Sequence, residues 1–255
     1  MLKNTKIGHI YHFGGCFSCV EILVYIYFHV FRNTDLYAKS RNRFILSKGH
    51  AAFALYTVLA LKGYINMEEL AGYKEIESRL QGHPDMKRHA AIDFSTASLG
   101  QGLSVGVGYA LAHRICNVNY RTIVLVGDGE IQEGQIWEAA MCAAKYGLSD
   151  LYCIMDYNKY QVDGLISDVM PIENIKKKWE SFGWYVIEVM DGHNFSEIDS
   201  AFRLSEQNKE NPKLIIAHTI KGKGITFMEN TKEWHSNSLS NDLLYQALKE
   251  VDISE

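Results

Sequence analysis

Four short apolar runs rich in β-branched residues, at 122–126, 151–155, 184–189 and 214–219, constrain this chain more than any other feature. Each is bounded by Gly, Asp or Asn and shows no polar alternation, as expected of strands buried on both faces of a parallel sheet. The residues between them carry the other period. Ile136, Ala139, Ala140, Ala143, Ala144 and Gly147 fall at helical spacing, and 173–182 and 196–207 behave alike. Strand alternating with helix predicts an α/β fold: an open, mostly parallel sheet with crossover connections and helices on both faces. The first third reads as mainly helical, clearest over 20–31 and 50–61, with a short strand at 44–46, and a last helical pattern covers 242–250. With three prolines, no Gly/Ser- or Pro-rich linker and no internal repeat, residues 1–255 read as one domain.

Composition removes several function classes. At 47% hydrophobic the chain is not disordered, and a formal charge of −4 without a basic stripe gives no reason to expect a nucleic-acid partner. The longest apolar stretch, 20–31, contains Glu21 and His29 and falls short of the roughly 20 residues a bilayer span needs. No membrane association or signal peptide is expected. Of five cysteines only Cys16 and Cys19 are closely spaced, which leaves a zinc site incomplete and makes a reduced, cytoplasmic setting the simpler reading.

In open α/β sheets, ligands bind beyond the carboxyl ends of strands. There the run 122–126 enters Gly127-Asp128-Gly129-Glu130, two glycines around a carboxylate. The backbone can approach an anion closely while Asp128 faces the same space. An aspartate beside a phosphate is repulsive unless a cation lies between them, which calls for Mg²⁺. The next run leads into Asp156-Tyr157-Asn158-Lys159-Tyr160 at the edge of an adjacent strand. Asp128, the Asn158 amide oxygen, one turn carbonyl (Tyr160 is placed for it), two phosphate oxygens and a water would complete an octahedron. A Gly-Asp-Gly turn alone is equally an ordinary tight turn. The separation from Asn158, spanning one helix and one strand, favours the ligand reading.

Gly-Asp-Gly followed by an Asn-containing turn resembles the thiamine diphosphate motif, and 127–134 (GDGEIQEG) resembles its transketolase version. Further matches are RFILSKGH at 43–50, QGHPD at 81–85, STASLGQG at 95–102, KGKG at 221–224 and MENTKEWH at 228–235. The resemblance covers nearly the whole chain but only the diphosphate-binding half of a full-length transketolase. It implies thiamine diphosphate with Mg²⁺, or another divalent cation such as Ca²⁺ or Mn²⁺. Asp128, Asn158 and the Tyr160 carbonyl would bind the metal, and the Gly129 N–H would meet the diphosphate. Gly127 and Glu130 belong to the same cofactor-binding turn. His50 and His235 would lie beside the cofactor and act on protons. His83 would approach donor hydroxyls, and Leu99 would pack on the thiazolium. Glu133 and Glu138 resemble carboxylates buried at an inter-chain interface near the cofactor.

Two departures stand out. Ala97 occupies a cofactor-facing position where the family usually has glycine. The N-terminal segment reads Gly8-His9-Ile10-Tyr11-His12-Phe13-Gly14-Gly15, where counting back from the paired glycines selects His12 for the active-site histidine and local similarity selects His9; His12 is preferred. The resemblance further implies two-carbon ketol transfer from a ketose, or ketose phosphate, to an aldose. The expected partner is a separate C-terminal transketolase-like subunit, in an α₂β₂ assembly that supplies the missing pyrimidine-binding half. The alternatives are other thiamine diphosphate subunits, similar to 1-deoxyxylulose 5-phosphate synthase or 2-oxo acid dehydrogenases, and a noncatalytic scaffold subunit. A nucleotide-binding oxidoreductase is weaker, because Gly106-Val107-Gly108 sits in a helical stretch without a third glycine in register.

Overall fold

The computed structural model describes residues 1–32, 34–38 and 40–251. Its strands are β1 (Ile10–Tyr11), β2 (Arg43–Leu46), β3 (Thr122–Gly127), β4 (Leu151–Tyr157), β5 (Tyr185–Val189), β6 (Lys213–His218) and β7 (Asn237–Ser238). The helices are α1 (Phe13–Phe17), α2 (Val20–Tyr25), α3 (Ala52–Leu61), α4 (Gln101–Cys116), α5 (Gly134–Lys145), α6 (Ile166–Val169), α7 (Ile175–Ser181), α8 (Phe195–Gln207) and α9 (Asn241–Val251). Five strands form one sheet in the order β2-β3-β4-β6-β5, every pair parallel. The predicted α/β architecture is therefore present, with strand bounds that differ from the sequence reading by a residue or two.

Burial on both faces explains the unbroken apolar runs. In β3, Ile123 and Leu125 pack with α2, α3 and α8, whereas Val124 and Val126 pack with α4, α5 and α7. The same alternation runs through β4, with Tyr152 and Ile154 on one side and Leu151, Cys153 and Met155 on the other. Successive side chains point to opposite faces, and both faces are covered. α3 is buried nearly all round, because it lies between the sheet-facing layer and the stretch that follows it.

The helical expectation over 20–31 holds in part. α2 widens after Tyr25 into a π-helical turn, Ile26–Val30, a change the side-chain period does not reveal. Residues 62–100 are mostly irregular, and a buried fork anchors them: Arg41 Nη1 and Nη2 donate to Asp93 at 3.0 and 2.5 Å, and the Phe44 N–H donates to the same carboxylate at 2.9 Å. This ties the irregular stretch to the start of β2, so that its far end, at Leu99 and Gly100, reaches the carboxyl end of the sheet. β1 and β7 form a separate two-stranded ladder that orders the segment before His12.

Candidate active site

β2, β3, β4 and β6 end along one rim. Gly127 pairs with Asp156 and Asp156 with Ala217, so the Gly127-Asp128-Gly129 turn, Asn158 and residues 219–221 become neighbours. A cavity of about 250 Å³ opens between them, with Lys48, His50, Leu99, Asp128, Asn158 and Lys221 in its wall.

The floor is a buried ion pair. Asp156 has no exposure and Lys48 only 1%, and their charged groups are in direct contact. Asp156 also accepts from Ser18 Oγ at 2.5 Å, from Asn158 Nδ2 at 3.2 Å and from the Thr219 hydroxyl. Burial alone would raise the Asp156 pKa, but Lys48 and these donors outweigh it and hold the group below the usual carboxylate range. An acceptor-only carboxylate must meet the NH₂ end of Asn158, which fixes the amide orientation and leaves Oδ1 on the other side. Asn158 Oδ1 accepts the Tyr160 N–H at 3.1 Å and keeps a second lone pair.

Asp128 is 2% exposed and accepts backbone N–H groups from Gly129 at 2.8 Å and Lys159 at 2.5 Å. Burial, followed by repulsion from Asp156, pushes it up to about 7. The Gly129 N–H, expected to face a diphosphate, is thus turned onto the adjacent carboxylate. The Tyr160 carbonyl accepts from Lys221 Nζ at 3.3 Å, and the same ammonium lies 3.0 Å from His235 Nδ1. Lys221 is 1% exposed; burial and then Lys48 lower its pKa to about 8.

The donor set fits a hard divalent cation. Asp128, Asn158 Oδ1 and the Tyr160 carbonyl are oxygens on one rim, and the buried carboxylate lacks a cation in direct contact. No cluster of three His, Cys, Asp or Glu side chains suited to a metal occurs among the described residues, so a cation here would depend on amide, carbonyl and ligand oxygens. Glu130 has a different place. It is 2% exposed, and it accepts from the Ser47 hydroxyl, from the Gly100 N–H at 2.9 Å and from the Gly127 N–H at 3.0 Å. Its carboxylate braces the turns around the cavity. Gly100 sits at φ 82°, a left-handed conformation that suits glycine and lets that N–H turn towards Glu130.

Three of the four expected histidines come together. The ring centres of His12 and His50 are 5.5 Å apart, those of His12 and His235 5.7 Å, and those of His50 and His235 5.3 Å. His9 is exposed and stands apart from this trio, whereas His12 Nδ1 is buried without a hydrogen-bond partner. Burial and then Lys74 lower His12 to about 4, burial and then Lys221 lower His235 to about 3, and burial and then Lys48 push His50 well down. All three rings are neutral at pH 7. His83 lies close by, its ring 3.2 Å from where a side chain on Gly49 would begin, but it does not line the cavity.

Leu99 and Glu133 are at the cavity wall and exposed. Ala97 and Glu138 are also exposed and lie outside that wall, so this chain alone does not bring them to the cavity. Sequence reasoning assigned nothing to Lys48, Asp156, Ser18, Thr219 or Lys221, although Lys48, Asp156 and Lys221 stand within the motifs that carry the resemblance.

The family model described as transketolase, thiamine diphosphate binding domain, matches residues 4–252. One of two component chains of an apulose-4-phosphate transketolase from Phocaeicola vulgatus is 40% identical over 253 residues, covering 98% of this chain and 88% of that protein. A component chain of a 6-deoxy-6-sulfo-D-fructose transketolase from a Clostridium species is 40% identical over 254 residues, covering 98% and 90%. Human transketolase is 38% identical over 257 residues, but this chain spans only 40% of it. Among solved structures, transketolase from Campylobacter jejuni superposes with a TM-score of 0.81 at 29% identity, over 86% of this chain and 35% of that one.

Proposed function

Because the chain belongs to the transketolase thiamine diphosphate-binding family, we propose that it is the diphosphate-holding subunit of a split transketolase, moving a two-carbon ketol unit from a ketose to an aldose. The observation that carries this reading is the Gly127–Asp156 pairing, which sets Asp128 and Asn158 on one cavity rim. Asp128, Asn158 Oδ1 and the Tyr160 carbonyl would hold Mg²⁺, and the Lys221 ammonium would face the negative charge of the diphosphate. When bound, thiamine diphosphate supplies the electron sink that lets a bond beside a ketose carbonyl break.

This chain's residues bind, orient and handle protons. Asp156 fixes the Asn158 amide, and Lys48 keeps Asp156 an acceptor. Glu130 sets the spacing between the Gly127 turn and the Leu99-Gly100 turn. His12, His50 and His235, neutral and close together, take and return protons at substrate hydroxyls. His83 serves the donor from beside the trio. Glu133 and Glu138, exposed on this chain, would become buried against the partner.

The partner is a C-terminal transketolase-like chain, the assembly α₂β₂, the substrates sugars or sugar phosphates and the setting the cytoplasm. The relatives named as subunits support the division, as does the exposure of Leu99 and Val162 at the cavity. Mixing the purified chain with its C-terminal counterpart should give ketol transfer and a sedimenting species with two copies of each. Transfer by this chain alone, or Mg²⁺-dependent cofactor binding that survives Asp128→Ala, would refute the proposal.

A further inference from the structure

His193, between β5 and α8, lies outside the cavity wall and outside every motif read from the sequence. Its Nε2 accepts the Ile220 backbone N–H at 2.9 Å, and its Nδ1 lies 2.9 Å from Glu21 Oε2 in the first turn of α2. A backbone N–H only donates, so Nε2 carries no proton and the ring hydrogen sits on Nδ1, donating to Glu21. The ring is thereby held neutral, in one tautomer and one orientation. Its side chain is 8% exposed.

The strand-like segment it touches feeds the cavity. The Thr219 hydroxyl donates to Asp156, Lys221 Nζ reaches Tyr160 and His235, and the Gly222 N–H donates to the Gly14 carbonyl at 3.0 Å. Between Thr219 and Lys221, the Ile220 N–H is tied only through His193. Gly192 presses the histidine loop against this segment: its N–H donates to the His218 carbonyl at 2.7 Å, and a Cβ there would stand 2.6 Å from Thr219 Cγ2.

We propose that Glu21 and His193 form a positioning pair that holds residues 219–221 in the register that delivers the Lys221 ammonium to the diphosphate site. The pair never touches the ligand; it acts by fixing one backbone amide. The inference rests on the proposed cofactor reading for its functional consequence, but the brace itself is a property of the free chain.

Two substitutions separate the ring's two hydrogen bonds. His193→Gln places an amide oxygen near the Nε2 position, able to accept from Ile220, and gives up the Nδ1 donor. His193→Asn places its amide near Nδ1, keeps a donor for Glu21 and loses the acceptor. Hydrogen exchange at the Ile220 amide in the free chain, and calorimetry with thiamine diphosphate and Mg²⁺ in the presence of the partner, are the readouts. Asn should speed exchange at Ile220 and weaken cofactor binding about 10-fold, while Gln stays within about threefold of wild type on both. Equal losses for Asn and Gln with unchanged Ile220 exchange would reduce His193 to packing and overturn the proposal, as would an Asn variant indistinguishable from wild type. A wild-type complex that binds no thiamine diphosphate, together with His193-dependent protection of Ile220, would uphold the brace and refute the cofactor reading alone.

Discussion

Asp156→Asn tests whether the buried floor of the cavity is electrostatic in origin. The carboxylate accepts from Ser18, Lys48, Asn158 and Thr219, four donors on two oxygens. An amide of the same shape offers one oxygen and one NH₂, so in either flip a donor faces a donor. Lys48, 1% exposed, keeps only the Gly15 carbonyl at 2.9 Å and the Ser18 hydroxyl at 3.5 Å. Removing one member of a buried pair costs about 3–5 kcal/mol. In a chain of this size each kcal/mol moves Tm by about 2–4 °C, so a fall of about 10 °C is expected. The Lys48→Met/Asp156→Leu double variant, which leaves no bare charge, should lose far less. pH gives the sign. In the wild type, burial acts to lower the Lys48 pKa and Asp156 outweighs it, holding the group above 10.5. In the variant burial acts unopposed, so the folded-state pKa drops below the unfolded one. Between the two values the unfolded chain binds more protons, and the stability of the variant rises with pH. Urea unfolding at pH 7 and pH 9 should therefore show the gap to wild type narrowing. A loss below about 1 kcal/mol, or a gap indifferent to pH, would refute the account.

Glu130→Gln should cost about 1–3 kcal/mol by thermal unfolding, because the Ser47, Gly100 and Gly127 donors cannot all be met by one amide oxygen. The same variant should raise the cofactor Kd, since the two turns it joins flank the cavity; unchanged binding with lowered stability would confine Glu130 to the fold. Chelation of divalent cations should abolish cofactor binding by the assembled enzyme. Asp128 and Asp156 lie beneath the cavity and would repel a diphosphate without a cation between them. Calorimetric titration with EDTA present checks this, and full affinity without metal would contradict it.

Much of the fold is legible in the sequence because the signal is local. Strands buried on both faces show as unbroken apolar runs, and Asp128 and Asn158 stand where two such runs end. β1 and β7, two residues each, are too short to carry a period, and the π turn after Tyr25 leaves the apolar pattern intact. The floor is illegible for another reason. Lys48 and Asp156 are 108 positions apart, and each alone reads as an exposed charge, because buried lysine and aspartate are rare unless paired. Glu130 and His193 are likewise defined by partners far away in the chain. Ala97 and Glu138 show the opposite limit: the resemblance assigns them to a cofactor site, but the surroundings that would put them there are not part of this chain.

The division of polar groups between floor and rim gives physical sense to a site shared by two chains. Asp156, Lys48, Glu130 and Asn158 are buried and hydrogen-bonded within this one polypeptide, so its fold does not wait on a partner for their desolvation. Leu99, Glu133 and Glu138 stay in solvent, where a carboxylate has no desolvation cost and an isolated leucine is ordinary surface. Closing a second chain over that rim would remove Leu99 from water and move Glu133 and Glu138 towards a lower dielectric, raising their proton affinity only in the assembled enzyme. The histidine trio is already desolvated and neutral before assembly. A split enzyme of this construction can keep its proton-handling histidines ready in one chain while its exposed carboxylates gain their altered acidity only on association, which ties turnover to the presence of both chains.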